Sequence, residues 1–259
     1  MKLATWNINS LKVRLPQVID WLAANPVDAL CLQELKLSDD KYPHEELQQA
    51  GYHSAVFGQK TYNGVAILSR APLRDVVMNI TGFDDPQSRV IAATLDTPRG
   101  PLRLVNGYFV NGQEPGSEKF DYKMRWLQAL HDQVQRELAA HPDLALLGDF
   151  NVTAEDRDSW DPEGLRETIH HTTQERDHFH ALLQLGLHDS YRMFEQAEKT
   201  YSWWDYRDFA FRRNRGLRID YVLISDTLKP RVRACTIDKA PRKNERPSDH
   251  TPVVVELDD

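Results

Sequence analysis

The sequence predicts an α/β fold of two packed sheets covered by helices, and three observations carry that expectation. Short apolar runs closed by turn residues recur throughout the 259 residues, as buried strands do. Stretches with helical spacing are few, and they fall between strands in the first half and again late in the chain. No Pro/Gly/Ser-rich linker, internal repeat or low-complexity tract interrupts them, so residues 1–259 are expected to form a single domain.

In chain order, residues 2–7 read as the first strand. Leu11, Leu15, Val18, Ile19 and Leu22 recur at helical spacing, giving a helix that packs back on the sheet. Residues 29–32 are a second buried strand that delivers Glu34 at its end and carries Cys31 as a core thiol. Strands follow over 56–58, 64–69, 74–80, 90–95 and 102–110, split by turn pairs such as Asn63-Gly64 and Arg99-Gly100. A long helix spans 118–140, with Leu127, Leu130, Val134 and Leu138 on one face. The run Leu144-Ala-Leu-Leu-Gly-Asp-Phe-Asn151 is a strand over 144–148 that ends on Asp149 and Asn151. A helix is expected over 174–185, and strands near 220–224 and 253–257. Residues 203–218 show no period and interleave aromatic residues with arginines.

Apolar residues make up 41% of the chain, far from a disordered composition. No apolar run approaches membrane-spanning length, and the first residues lack the apolar core of a leader peptide. Cys31 and Cys235 have neither a cysteine neighbour nor a metal-ligand spacing, which suits a reducing compartment; a cytoplasmic monomer is the expectation. The net charge of −7 is unevenly spread. Residues 199–246 hold thirteen Lys/Arg against six Asp/Glu, a local +7, which leaves −14 on the rest. A basic segment on an acidic body suggests a local surface for a polyanion, although a solvated arginine-rich face would read the same way.

Chemistry-bearing residues gather at the strand ends, where an α/β sheet presents side chains to a ligand crevice. They are Asn7, Gln33-Glu34, Asp149 with Asn151, and Ser248-Asp249-His250. Glu34 and Asp249 are hard oxygen donors and Asn7 offers a third, a set that suits Mg²⁺ or Mn²⁺ better than Zn²⁺. Pro247 and Pro252 restrict the backbone around Asp249-His250. Asp220 is the carboxylate placed to orient His250 and favour its charged form. Taken singly, each cluster also has a plain reading: a solvated carboxylate at Glu34, a turn histidine at His250, turn formers at Asp149 and Asn151.

Together the clusters resemble the exonuclease III family (AP endonucleases and 3′ exonucleases) of the endonuclease/exonuclease/phosphatase superfamily. Eight motifs in family order carry the likeness: Trp6-Asn7-Ile8-Asn9, Cys31-Leu-Gln-Glu34, Asn63-Gly-Val-Ala-Ile67, Gly107-Tyr108, Leu147-Gly-Asp-Phe-Asn151, Tyr201-Ser-Trp-Trp-Asp205, Arg215-Gly-Leu-Arg-Ile-Asp220 and Pro247-Ser-Asp-His250. The resemblance implies a four-layer αββα sandwich of two mixed sheets with the active site at one edge of both. It also implies a Mg²⁺-dependent DNA repair hydrolase acting on double-stranded DNA at 3′ termini, as exonuclease, 3′-phosphatase or 3′-phosphodiesterase, and at abasic sites. By that likeness Asn7, Glu34 and Asp249 surround the metal, while Tyr108, Asp149, Asn151, Asp220 and His250 surround the scissile phosphate. Either Asp149 or His250 would be the general base.

Trp204, Phe211 and Leu217 are expected near the pocket for the 3′ or abasic sugar, and Lys119, His170, Arg207, Arg213 and Arg215 along the DNA. One departure is visible: the family's usual Tyr-x-Pro-x-Gly reads Tyr108-Phe-Val110-Asn-Gly112 here. A second concerns His170-His171, where many relatives carry small or apolar residues. They are either solvated loop histidines before a helix cap at Thr172 or Thr173, or a wall that narrows the cleft and favours 3′-end processing over abasic cleavage. The alternatives to the nuclease reading are a superfamily phosphomonoesterase or phospholipase, and a non-catalytic DNA-binding scaffold. The basic, aromatic-rich segment argues against the lipid enzyme, and the full set of acidic and amide residues against the scaffold.

Overall fold

The computed structural model describes residues 1–258. Six strands form the first sheet: β1 (Lys2–Asn7), β2 (Ala29–Gln33), β3 (His53–Phe57), β4 (Val65–Ser69), β13 (Val232–Ile237) and β14 (Val253–Leu257), in the order β13-β14-β1-β2-β4-β3. The second sheet holds β5 (Leu73–Met78), β6 (Val90–Thr97), β7 (Gly100–Tyr108), β8 (Leu144–Asp149), β9 (Leu187–Asp189) and β12 (Asp220–Ser225), in the order β5-β6-β7-β8-β12-β9. Both sheets are mixed: β1 runs parallel to β2 but antiparallel to β14, and β7 runs parallel to β8, which is antiparallel to β12.

Strand alternation decides which face each side chain covers. Leu3, Cys31, Ile67, Leu104, Leu147, Val222 and Val255 turn inward into the core between the sheets, so Cys31 is the expected core thiol. Ala4, Trp6, Leu30 and Leu32 turn outward under α1 (Leu11–Ala24) and α2 (His44–Gln49). On the far side, Val105, Leu144, Leu146 and Leu223 meet Trp126, Leu127, Leu130 and Val134 of α3 (Glu118–Ala140), and Phe179 and Leu182 of α4 (Thr173–Gln184). The result is the four-layer αββα sandwich. α4 starts at Thr172, whose hydroxyl accepts from the Glu175 N–H while Glu175 accepts in return from the Thr172 N–H, a reciprocal cap.

Several elements escaped the sequence. β9 has three residues, too few to show a period, and β13 lies at a sheet edge with a register shift between Val232 and Ala234, so its alternation is broken. The six-residue α2 buries only Leu47 and so displays no stripe. Residues 203–218 contain a two-stranded ribbon, β10 (Trp203–Trp204) against β11 (Gly216–Leu217).

Two features bring the site together. Gly107 pairs with Gly148, and a Cβ at Gly148, whose φ is +151°, would lie 1.9 Å from the Gly107 oxygen. Glycine there lets β7 and β8 end side by side, with Tyr108 opposite Asp149 and Asp149 opposite Asp220. Beneath that edge an amide bridge locks the sheets to each other: Gln33 Nε2 donates to Asn106 Oδ1 (2.8 Å), and Asn106 Nδ2 donates to the carbonyls of Leu32 and Ala66 (2.9 and 2.8 Å). Among the described residues, no helix is long and apolar enough to cross a membrane.

Candidate active site

The strand ends of both sheets meet in a row of hydrogen bonds joined by one ion pair, buried from Asp220 to Asn7 and half-buried at Glu34 and Tyr108. His250 Nδ1 donates to both oxygens of Asp220 (3.1 and 2.9 Å), and Ser202 Oγ donates to Asp220 Oδ2 at 2.6 Å. The other imidazole nitrogen, Nε2, lies 3.5 Å from Asp149 Oδ2. Asp149 Oδ1 accepts from the Asn151 N–H (3.0 Å) and Oδ2 from Asn7 Nδ2 (2.9 Å). Asn7 Nδ2 also donates to Glu34 Oε1 (3.1 Å), and Tyr108 Oη donates to the same oxygen at 2.6 Å. The row therefore runs from Asp220 through His250, Asp149, Asn7 and Glu34 to Tyr108.

Burial and the neighbouring charges together set the protonation of this row. Burial works against the His250 cation, but Asp220 and Asp149 outweigh it and raise its pKa to about 10. Burial also raises Asp149 above the usual carboxylate range, with Asp220 and Glu34 adding to it and the His250 cation opposing. Tyr108 is pushed well above an ordinary phenol, first by burial and then by Glu34 and Asp149, so it stays a neutral donor. The Arg89 guanidinium lies 4.9 Å over its ring and donates to the Tyr108 carbonyl.

A second cluster opens beside the row. Lys36 Nζ sits 3.0 Å from Glu34 Oε2 and donates to Asn9 Oδ1 (2.5 Å), while Asn9 Nδ2 donates to Asp249 Oδ1 (2.9 Å). Asp249 Oδ2 accepts from the Trp203 indole N–H at 2.9 Å. Hard carboxylate oxygens with no thiol among them fit Mg²⁺ or Mn²⁺, and an ammonium already sits between Glu34 and Asn9 where positive charge is favoured. Glu34 and Asp249 are linked through Lys36 and Asn9. Asn7 turns its amide N–H groups to Glu34 and Asp149, and its carbonyl oxygen accepts from the Asn9 N–H (3.0 Å), so it ties two carboxylates together rather than offering a free oxygen to a cation. Asp149, Asp220 and His250 also lie close enough to share a cation, but all three are buried and their facing atoms are engaged with one another.

Residues 4–250 match the endonuclease/exonuclease/phosphatase family, and exodeoxyribonuclease III of Haemophilus influenzae is 34% identical over 266 residues, 99% of this chain and 100% of that protein. The chain belongs to the exonuclease III type of this family. The solved 3′ phosphatase NExo from Neisseria, bound to a product DNA hairpin, is 48% identical with a TM-score of 0.96, over 100% of this chain and 99% of that one. An AP endonuclease from Archaeoglobus fulgidus is 34% identical with a TM-score of 0.94, over 100% of both chains. Metal-dependent hydrolysis is the family's chemistry, and these relatives favour the nuclease reading over the phospholipase one.

The basic segment is where DNA contacts were expected, and there the structure corrects two expectations. Trp204 is fully buried with Tyr201, Ala210 and Phe211, its indole N–H bonded to Asn214 Oδ1 (3.1 Å). Leu217, paired with Trp203, is 4% exposed, so neither side chain offers a stacking surface. Adjacent strand residues face opposite ways, and the indole that reaches the site is Trp203, not Trp204. Phe211 packs edge-on against Trp204, and with it and Tyr206 encloses the Arg242 guanidinium, whose Nη1 donates to the Ser248 carbonyl at 2.6 Å. Arg213 and Arg215 are exposed, Arg215 lying 4.9 Å over the Trp160 ring; Arg207 is exposed but paired with Asp205. Lys119 lines a groove with Arg89, Asn111 and Tyr62 beside the Tyr108 loop. Trp204→Ala is accordingly expected to cost about 3–5 kcal/mol of stability, read as a large fall in melting temperature. A melting temperature within a degree of wild type would contradict the buried placement.

The two histidines part company. His171 turns inward, Nε2 against Ser159 Oγ (2.8 Å), while His170 Nδ1 bonds the Asn151 carbonyl (2.7 Å) just past the end of β8. Burial holds the His170 pKa down at about 3, with Lys123 adding to it, so its imidazole is neutral. Sequence reasoning passed over Asn9, Lys36 and Trp203, although Asn9 and Trp203 fall within the motifs that carry the resemblance.

Proposed function

We propose that this chain is a Mg²⁺-dependent DNA repair hydrolase, a cytoplasmic monomer that acts on double-stranded DNA at 3′ ends, 3′ blocks and, more weakly, abasic sites. The observation that supports the reading is the continuous row from Asp220 to Tyr108, in which a carboxylate able to act as a base stands next to a cationic imidazole and close to neutral donors.

Glu34 and Asp249 would hold the metal, which supplies Lewis-acid stabilisation of the phosphate oxygens. Asp149 is the group that aligns and deprotonates the attacking water. His250, already protonated by its contacts with Asp220 and Asp149, lacks the free lone pair a base needs. It donates instead to a phosphate oxygen from Nε2, while Asp220 holds the ring from the other side. Tyr108 Oη and the Asn151 amide are neutral donors for the charge that grows in the transition state; Asn151 Nδ2 gives one N–H to the Phe109 carbonyl (3.0 Å) and keeps the other.

The preference for 3′ ends rests on His170. A terminal group can enter a narrowed site, whereas a continuous strand must also bend and unstack, at a cost of a few kcal/mol. His170→Gly is expected to raise abasic-site cleavage relative to 3′-phosphate removal, with His171→Gly leaving the ratio unchanged. Rates on a 3′-phosphate duplex and on an abasic duplex, measured side by side, test this. A wild type that already cuts abasic DNA as fast as it clears 3′ ends would count against it.

A further inference from the structure

One buried charge next to the site has no part in the mechanism above. Lys123, on α3, is 0% exposed, and an ammonium has three protons to place. All three are accounted for: Nζ donates to the Asn111 carbonyl (3.1 Å), to the Asn151 carbonyl (2.8 Å) and to Glu175 Oε1. Glu175, equally buried, accepts in turn from the His170 N–H (3.1 Å) through Oε1, and through Oε2 from the Thr172 N–H (3.1 Å) and the Thr172 hydroxyl (2.9 Å). The pair thus joins three segments that border the phosphate site: the loop after β7, the loop after β8 and the loop before α4.

Two of these segments need holding. Asn151 stands at φ +49°, a left-handed conformation that asparagine reaches more readily than other non-glycine residues, so its neighbours must select it over the ordinary right-handed and extended ones. Asn111 lies in the loop where Val110 replaces the family's proline, so nothing in that loop's own covalent chemistry restricts its path. There the Asn111 side chain reaches back to Asn151 Oδ1 at 3.4 Å, and Lys123 secures its carbonyl. A buried ion pair is poor value as a stabiliser, because apolar residues of like volume serve as well or better. What apolar residues cannot do is aim two backbone carbonyls at one point.

We infer that Lys123, backed by Glu175, is a positioning residue that fixes Asn151 for donation to the phosphate. The inference rests on the proposed hydrolase reading. Its test is a double-mutant cycle between the ion pair and Asn151. Lys123→Met with Glu175→Gln removes both charges together, since losing one would strand the other in the core. With Mg²⁺ and a 3′-phosphate duplex, the double variant is expected to keep KM within about threefold while kcat falls at least about thirtyfold. Added to Asn151→Ala, the same pair of changes should lower kcat by less than about threefold further, because the group that Lys123 positions is already gone.

Full additivity in kcat, or loss confined to melting temperature, would overturn the inference and leave the pair a structural element. If the double variant does not fold, Lys123→Gln with Glu175→Gln keeps an amide hydrogen bond in place of the ion pair and is read in the same cycle. Wild type inactive on every DNA end would instead contradict the hydrolase reading, so the two failures are distinguishable.

Discussion

Asp149→Asn and His250→Asn are expected to bind a 3′-phosphate duplex within about threefold of wild type and to turn it over roughly 10²–10⁴ times more slowly, the range that general-base and charge-stabilising groups supply. Both side chains are buried; Asp149→Asn keeps the shape of the carboxylate, and His250→Asn, shorter than the imidazole, keeps a polar group near Asp220 while removing the Nε2 donor. The pH profile separates the two. Asp149 is raised above the usual carboxylate range by burial, so it holds a proton, and is useless as a base, to a higher pH than an exposed aspartate would. The wild-type rate should therefore rise with pH through a midpoint above about 4, and a nearby divalent cation should draw that midpoint down as it saturates. Asp149→Asn should lose this limb. Variants that lose binding in proportion to rate would give both residues structural roles.

Glu34→Gln should carry the second-largest effect. Glu34 accepts from Asn7 and Tyr108 through one oxygen and pairs with Lys36 through the other, so the amide preserves most of the shape while removing the charge that would hold a cation. Activity at limiting Mg²⁺ is expected to fall by about tenfold or more and to recover partly at high Mg²⁺, with calorimetry showing weaker Mn²⁺ binding. Unchanged activity at limiting Mg²⁺ would falsify the assignment of Glu34 as the ligand.

The parts of this site that were legible in the sequence are those where chemistry and strand geometry coincide. Glu34, Asp149 and Asp220 sit at strand ends, and proline on either side of Asp249-His250 marks a fixed loop, so each was visible singly, while their grouping into one site came from the family resemblance. What failed was facing. Trp203 and Trp204 are one residue apart, and in a strand that single step exchanges core for cleft, which composition cannot reveal. His170 and His171 also face opposite ways, here because His170 takes a left-handed turn conformation (φ +69°). Asn7 was read by its donor type, but its amide orientation is dictated by two carboxylates that only the fold brings beside it.

Lys123 was hidden by its charge, although its position held a signal. It lies four residues before Leu127, on the same stripe as Leu130 and Val134, and a lysine on the apolar face of a helix is a lysine with a partner. The basic count between residues 199 and 246 likewise described two populations: Arg218 and Arg242 are buried structural cations, while Arg213 and Arg215 face solvent. Charge totals cannot tell them apart.

The most direct test of the account is the single-turnover release of phosphate from a 3′-phosphate duplex by the wild-type protein, with Mg²⁺ and with EDTA, at low and raised salt. Phosphate release is expected with Mg²⁺ and none in EDTA, with DNA affinity falling steeply as salt rises. Release that persists in EDTA, or tight DNA binding with no release under any of these conditions, would contradict it.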